Sequence, residues 1–458
     1  MNKKPNIICT GILNTKFTEI KFLAEQVKKY GGNPIVMDLS LGKEVGWADI
    51  SLDEVLASTG TQKEDVFAAP RSTAIEMVGK AGEIKIQELY NEGKVDGIIS
   101  WAGSVGTTTV THVMRALPFG VPKIMLTDMA SSDVSMWLGN KDIYIVNPTA
   151  EQGINVVTRK MVANAAAAVV AMAKTGDVSG ESRPLAAITA YGTTTPTVKR
   201  CTEYMESRGW DTIIIHQVGT GATMEDLIRS GQITAIIDLT TGELTNNMYN
   251  SPYAVPKTWE GKRLTAASDM GIPQIVVPGG LDQSACGPLS SIPQKYLDDF
   301  KTGKRRPYKD TQLPYKHNEG VTIMVPTLEE IEELSLYMAG CLNSTKGPTV
   351  VMIPMCGWSA YDQSKELATN ERGWAKGNGD GPVWEPDDQN DRWSRRATLM
   401  RKVLNEHLNK DSDNLDLIIC DMHILDEEFA DLCNRCMGDM LDKTWKKGMY
   451  TDIPKIIE

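Results

Sequence analysis

Residues able to do chemistry gather where short apolar runs give way to glycine, hydroxyl side chains and carboxylates. The run at 97–101 passes into Ala102-Gly-Ser-Val-Gly-Thr-Thr-Thr109 and then a helical pattern. Gly103, Ser104, Gly106 and Thr107 would there set free backbone N–H groups and hydroxyls at a helix N-terminus, which attracts anions. The next run ends in Thr127-Asp-Met-Ala-Ser-Ser-Asp-Val-Ser135, which adds Ser131 and Asp133 on the expected same edge. Two later turns repeat the arrangement: Gly192-Thr193-Thr194-Thr195-Pro196 and Gly219-Thr220-Gly221. Pro196 suits a first helical turn, where its missing N–H is no loss. All four turns can grip a phosphate, and all four use residue types that also serve as ordinary caps.

Carboxylates follow further strand ends. Asp238, Glu243 and Asp282 could handle a proton, and Asp238 and Asp282 could hold Mg²⁺; capping and turn formation are their alternative roles. In Pro354-Met-Cys-Gly-Trp-Ser-Ala-Tyr-Asp362, Ser359 is expected to cap a helix and Asp362 to stand in its first turn. His216, beside the glycine turn, and His317 could serve as bases; His112, His407 and His423 read as surface or packing residues. Cys433 and Cys436 have metal-ligand spacing, but no second pair completes a tetrahedral site, so packing is expected and zinc is not. The turn at 219 misses the dinucleotide spacing because position 224 is Met, and it follows the second strand of its domain; neither NAD nor flavin is expected.

The elements that must position these residues show as alternation. Apolar runs at 6–13, 34–39, 97–101, 123–127 and 143–146 alternate with helical periods such as 18–29 and the Ala-rich 153–174. A polar, Gly- and Ser-rich stretch at 175–184 separates them from runs at 185–190, 212–216, 235–239, 274–277, 322–325, 349–353 and 417–420. The pattern predicts two α/β domains, 1–180 and 181–445, each a mostly parallel sheet flanked by helices, with a tail at 446–458 and the ligand in a cleft between the domains. Segments 284–320 and 368–393 read as insertions. With 458 residues, two or three cores are expected; 41% hydrophobic and 23% charged residues fit a globular chain. The net charge of −11 disfavours nucleic acid, and the basic run 301–309 is expected to be a solvated loop. No apolar stretch is expected to reach the roughly 20 residues of a bilayer crossing, and the start lacks a signal-peptide pattern, so a cytoplasmic location is expected.

Eight stretches carry a resemblance: GILNTKFTE (11–19), AGSVGTTT (102–109), MRALPFGVPKIMLTDMASSDVS (114–135), ANAAAAVVAM (163–172), YGTTTP (191–196), HQVGTGATMEDLI (216–228), DLTTGEL (238–244) and PGGLD (278–282). In them the chain resembles, over nearly its whole length, a largely uncharacterised family of bacterial, fungal and plant proteins that includes a tomato inhibitor of tobamovirus RNA replication. The resemblance implies two Rossmann-like domains, a homodimer or higher assembly, and ATP with Mg²⁺ as a ligand in at least the plant member. It adds Asn14 and Lys16 of the first turn to the residues expected to bind. The family usually has Asp where this chain has Asn14 and Thr where it has Ile12, and Gly at Ala102 and Val105. These departures narrow the expected phosphate site, which also suits a smaller phosphate or carboxylate.

Three readings follow: a nucleotide-binding protein with an undescribed enzymatic activity, a nucleotide-independent hydrolase or lyase for a small oxo or carboxylate compound with His216 or His317 as base, and a binding protein without chemistry.

Overall fold

The structure is a computed structural model that describes residues 4–43, 45–176, 180, 183–309, 311–369 and 372–457. It divides into two compact units, Met1–Gly180 with Pro256–Thr258, and Glu181–Val255 with Trp259–Glu458.

The N-terminal unit is built on five parallel strands, β1 (Asn6–Gly11), β2 (Asn33–Asp38), β3 (Gly97–Ala102), β4 (Lys123–Thr127) and β5 (Ile143–Val146), in the order 2-1-3-4-5. Its helices are α1 (Leu13–Lys29), α2 (Leu52–Leu56), α3 (Lys63–Ala68), α4 (Arg71–Asn91), α5 (Ser104–Arg115), α6 (Ser135–Leu138) and α7 (Val156–Ala173). The two-residue strand period sorts side chains into two layers. Ile7 and Cys9 face a layer shared with Leu23 and Val27 of α1 and Val162 and Val169 of α7. Ile8 and Ile98 face the opposite layer, with Val78 of α4 and Val110 and Val113 of α5. By length and composition α7 could cross a membrane, contrary to the expectation from the sequence. Its Val162, Ala165, Ala166, Val169 and Val170 are buried in the core.

The C-terminal unit repeats the architecture with one strand more. Strands β6 (Leu185–Ala190), β7 (Asp211–His216), β8 (Ile233–Thr240), β9 (Gln274–Gly279), β13 (Thr349–Pro354) and β14 (Leu415–Cys420) are all parallel, in the spatial order 7-6-8-9-13-14. Between β9 and β13 the chain forms a separate antiparallel sheet from β10 (Ser284–Cys286), β11 (Tyr315–Lys316) and β12 (Thr322–Met324). The run at 322–325 therefore belongs to this small sheet and not to the main one. The helices are α8 (Thr195–Ser207), α9 (Gly221–Arg229), α10 (Glu243–Met248), α11 (Ala266–Met270), α12 (Gln294–Thr302), α13 (Leu328–Leu342), α14 (Arg395–His407) and α15 (Glu427–Leu441).

Two local expectations are corrected by packing. The basic run is not wholly solvated: Arg305 is buried, with Nη1 donating to Tyr249 Oη and Glu330 Oε2 at 2.8 Å each. After β13 no helix begins at Ser359; Ser359 Oγ accepts from Tyr361 N at 3.0 Å, and the next α-helix among the described residues is α14, at Arg395. Among its described residues, the segment 368–393 has no long element, and it buries Ala368, Trp374, Val383 and Trp384. Cys433 and Cys436 lie in the core layer with Phe429 and Met437, where a reduced thiol acts as a small hydrophobe.

The ends of β8 and β9 approach closely where Thr240 pairs with both Pro278 and Gly279. A Cβ on Gly279 would lie 2.1 Å from Leu239 O, and a backbone oxygen cannot swing away. Gly279→Ala is expected to destabilise the protein by about 1–3 kcal/mol, the usual range for overpacking, read from the midpoint of urea unfolding.

Candidate functional site

In the N-terminal unit, β1 leads into α1 on one face of the sheet and β3 leads into α5 on the other. Adjacent strands whose connections leave to opposite sides form a crevice at their carboxyl ends, the usual ligand position in such sheets. A cavity of about 430 Å³ opens there, lined by Asn14, Lys16, Arg71, Gly103, Ser104 and Glu151 among others. Lys16 is buried at a kink in α1 (φ −123°, ψ 31°), and one of its Nζ protons goes to the Glu151 backbone carbonyl. Arg71, at the start of α4, makes no ion pair among the described residues. The N-cap of α5 is Gly103, which has no side chain to satisfy the first-turn N–H groups. The Glu151 carboxylate stands beside this helix start, with Oε1 3.2 Å from the position of a Cβ on Gly103.

The other residues expected around this site have local duties. Asn14 N donates to Ser40 Oγ at 3.1 Å, holding the turn after β1. Thr107 Oγ1 donates to Thr127 Oγ1 at 2.8 Å, tying α5 to the end of β4. Gly106 permits close packing, since a Cβ there would lie 2.5 Å from Ala102 Cβ. Ile12 and Val105 also line the cavity. Ser131 and Asp133 are away from it, in an exposed turn. Ser131 Oγ donates to Asp128 O, and Asp133 accepts from Ser135 N at 2.9 Å, a bond that holds its carboxyl below the usual range.

The equivalent crevice of the C-terminal unit, between β6 and β8, is occupied by the chain's own charges. Glu243 Oε1 accepts from Gly219 N at 2.7 Å and from Gly221 N at 3.1 Å. The turn expected to bind an anion thus binds the Glu243 carboxylate. Thr220, exposed, donates to the His216 carbonyl. Arg263, only 1% exposed, reaches Glu225 Oε1 with Nη1 at 2.7 Å, Asp238 Oδ2 with Nη2 at 2.9 Å and Glu243 Oε2 with Nε at 3.2 Å. Asp238 Oδ1 also accepts from Thr189 Oγ1 at 2.9 Å. Burial pushes the Glu225 and Glu243 carboxyls up, against the pull of Arg263. Burial works to lower the Arg263 pKa, but its three carboxylates outweigh it and hold the guanidinium charged. Asp238 and Glu243 are therefore structural partners of Arg263, and Asp238 has neither oxygen open to Mg²⁺.

Thr193, Thr194 and Thr195 divide in the same way. Thr194 is buried, 2.8 Å from Thr240 Oγ1 and accepting from Tyr191 N; Thr195 donates to Gly192 O at 3.1 Å. Thr193 Oγ1 accepts from Gln283 Nε2 at 2.9 Å. Asp282 belongs to a second buried network, accepting from Ser359 Oγ at 2.6 Å. His216 is exposed at the end of β7, with its ring edge-on to Tyr191 at 6.0 Å and its pKa lowered by partial burial. His317 is exposed, with Nδ1 3.0 Å from Tyr361 Oη. The two histidines are held by different elements, and neither is hydrogen-bonded to a carboxylate among the described residues. Nothing in the sequence singles out Arg263 or Arg71, because neither belongs to a motif that marks it.

Removing Arg263 while leaving its three carboxylates buried should be severe. Arg263→Met is expected to cost about 3–5 kcal/mol, measured by urea unfolding. Gly221→Ala should likewise lower stability, because its Cβ would lie 1.9 Å from Glu243 Oε2; a variant as stable as the parent would show that the turn is not closed on Glu243.

Comparison with known proteins places these sites in a family. Residues 5–177 match the N-terminal domain model of an uncharacterised protein family, UPF0261, and residues 183–374 match its C-terminal domain model. A UPF0261 protein of Clostridium tetani is 34% identical over 449 residues, covering 97% of this chain and 100% of that protein. One from Rhizobium meliloti is 30% identical over 359 residues, 78% of this chain and 85% of that protein. The ToMV resistance protein Tm-1(GCR237) of Solanum lycopersicum is 27% identical over 386 residues, which are 79% of this chain but 49% of the tomato protein. With both domain models matched in order and the full length of a relative aligned, the chain belongs to the uncharacterised protein family UPF0261.

Proposed function

We propose that this protein binds a small phosphate-bearing ligand, with a nucleotide such as ATP as the first candidate, in the cavity at the ends of β1 and β3. The observation that carries the reading is the pairing of Lys16 and Arg71 with the uncapped start of α5 around one cavity. Lys16 Nζ keeps two donors beyond its bond to the Glu151 carbonyl, and Arg71 keeps its whole fork, so both can bind an anion. About 430 Å³ lies within the usual range of small-molecule pockets, roughly 300–1,000 Å³. A net charge of −11 weighs against a polyanionic partner, while a local pair of cations still attracts a small one.

The family resemblance implies ATP with Mg²⁺, and the residues fit the two parts differently. Lys16, Arg71 and the backbone of 103–106 would hold phosphate oxygens. Asp238 and Asp282 do not fit the metal: the first is spent on Arg263, and the second is buried against Ser359. Glu151 opposes a phosphate at the α5 start by its like charge, so the two cations must outweigh it for a nucleotide to bind there.

Thermal-shift titration with ATP, ADP and inorganic phosphate, each with and without Mg²⁺, tests the reading. Lys16→Met or Arg71→Met should weaken the binding of the phosphate compound by about 10–100-fold, the equivalent of a lost charged hydrogen bond of about 1.5–3 kcal/mol. Glu151→Gln should strengthen it. A shift of equal size in all three variants, or none with any phosphate compound, would exclude the site.

A further inference from the structure

The wall of the cavity at the ends of β1 and β3 carries both signs of charge, and the chain does not cancel them. Its charged side chains are Lys16, Arg71 and Glu151. Lys16 donates to the Glu151 backbone carbonyl and not to its carboxylate, which has no hydrogen bond or ion pair among the described residues. Arg71 has none either. The main chain around Glu151 is nevertheless fixed. Lys16 holds residue 151 from α1, the buried Glu19 of the same helix accepts from Gly153 N at 2.8 Å, and Thr158 Oγ1 donates to Gly153 O at 2.7 Å. Gly153 turns with φ +96°, a conformation that other residues seldom adopt. Two residues on, the Asn155 side chain accepts from Val157 N at 2.9 Å and caps α7. The loop is thus pinned at 151, 153 and 155, while the Glu151 side chain is exposed and committed to nothing.

Gly103 sets where that carboxylate stands. Glu151 Oε1 lies 3.2 Å and Cδ 3.7 Å from the position of a Cβ on Gly103, so the missing side chain makes room for the acid at the cavity wall. The carboxylate is not a helix cap, because no N–H of α5 donates to it among the described residues. On the cationic side, Lys16 is only 5% exposed and keeps two of its three donors, and Arg71 keeps all five. A purely anionic ligand would satisfy Lys16 and Arg71 and be repelled by Glu151; a purely cationic one would meet the reverse. A ligand carrying both charges is attracted by every charged side chain in the wall.

We infer that the ligand of this cavity is dipolar, which rests on the phosphate site proposed above: a small phosphate whose anionic end is taken by Lys16 and Arg71 and whose protonated amino group is taken by the Glu151 carboxylate. The ligand class narrows to aminoalkyl phosphates. An ammonium has three donors and a carboxylate about four acceptor sites, so the two match in charge and in hydrogen bonding. Positive charge could also arrive as a divalent cation carried on the phosphate, since Mg²⁺ binds through one or two carboxylates together with substrate phosphates. The amino group is the better match, because Glu151 is the one carboxylate in the described wall and balances a single positive charge.

Isothermal titration of the full chain at low salt and in EDTA tests the assignment, with aminoethyl, aminopropyl and aminobutyl phosphate set against ethyl, propyl and butyl phosphate. Each pair differs in the ammonium alone, the series varies the distance between the charged ends, and low salt limits the screening of an exposed pair. In the parent at least one aminoalkyl phosphate should bind about 2–5-fold more tightly than its alkyl partner, the worth of an exposed ion pair. Glu151→Gln should abolish that preference, tightening the alkyl phosphates and not the aminoalkyl ones. Its unfolding midpoint should match the parent's, since the Glu151 side chain makes no bond within the described chain. Arg71→Met should weaken both series and leave the preference in place. Equal binding of the two series by the parent, or a preference that survives Glu151→Gln, overturns the dipolar ligand and leaves the phosphate site standing. Alkyl phosphates that gain affinity only when Mg²⁺ replaces EDTA, with the gain lost in Glu151→Gln and no preference for the amines, overturn the amino group and give its place to the metal. Binding of neither series overturns the phosphate site as well.

Discussion

The C-terminal unit depends on one buried guanidinium. Arg263 ties together α9 through Glu225, β8 through Asp238 and the start of α10 through Glu243. Glu225 extends the reach by accepting from Leu264 N and Ala266 N, at 2.6 and 2.7 Å, which fixes the loop that delivers Arg263 itself. Three carboxylates around one cation leave an excess of negative charge, and burial raises Glu225 and Glu243 in response. A buried ion cluster is a poor source of net stability, since desolvation offsets most of the attraction. It does select one arrangement of loops, because any other would leave a charge buried without a partner.

That constraint explains why two sheets of like topology differ in chemistry. Each has a first strand flanked by the second and third, and each opens a crevice where the connections leave to opposite sides. In the C-terminal unit the glycine turn at 219–221 is closed by Glu243, a carboxylate supplied from within. In the N-terminal unit the glycine turn follows the third strand, not the second, and opens on a cavity with Lys16 and Arg71 in its wall. The same backbone device serves packing in one unit and is open to a ligand in the other. Glycine turns at helix starts therefore say little about function until their N–H groups are followed to their acceptors.

The acids that look most exposed to chemistry, Asp238 and Glu243, are the ones locked by Arg263. Asp282 was equally visible as a strand-end carboxylate, but Ser359, which donates to it, stands 77 positions along the chain, beyond the antiparallel sheet of β10, β11 and β12. The contact of Asp282 with Ser359 rests on β9 and β13 being neighbours.

Much of the architecture was legible before the fold. Alternation of β-branched runs with helical periods located the strands of both parallel sheets, because strands buried on both faces must be apolar throughout. The run at 322–325 was misassigned to the main sheet because periodicity gives an element's type and never its partner. The strand-end turns were also legible, and they mark the right edge of each sheet. What the turns bind was not. Arg263 and Arg71 have no local pattern, and each acquires its role from residues far away in the chain. Arg305 shows the same limit in reverse: a residue in a basic run became buried because Glu330 and Tyr249 came to meet it. Sequence by itself determined the elements and the family, which depend on local period and on ordered short motifs. Tertiary structure decided which charges are spent on one another and which remain for a ligand, because electrostatic pairing depends on distance in space and on burial.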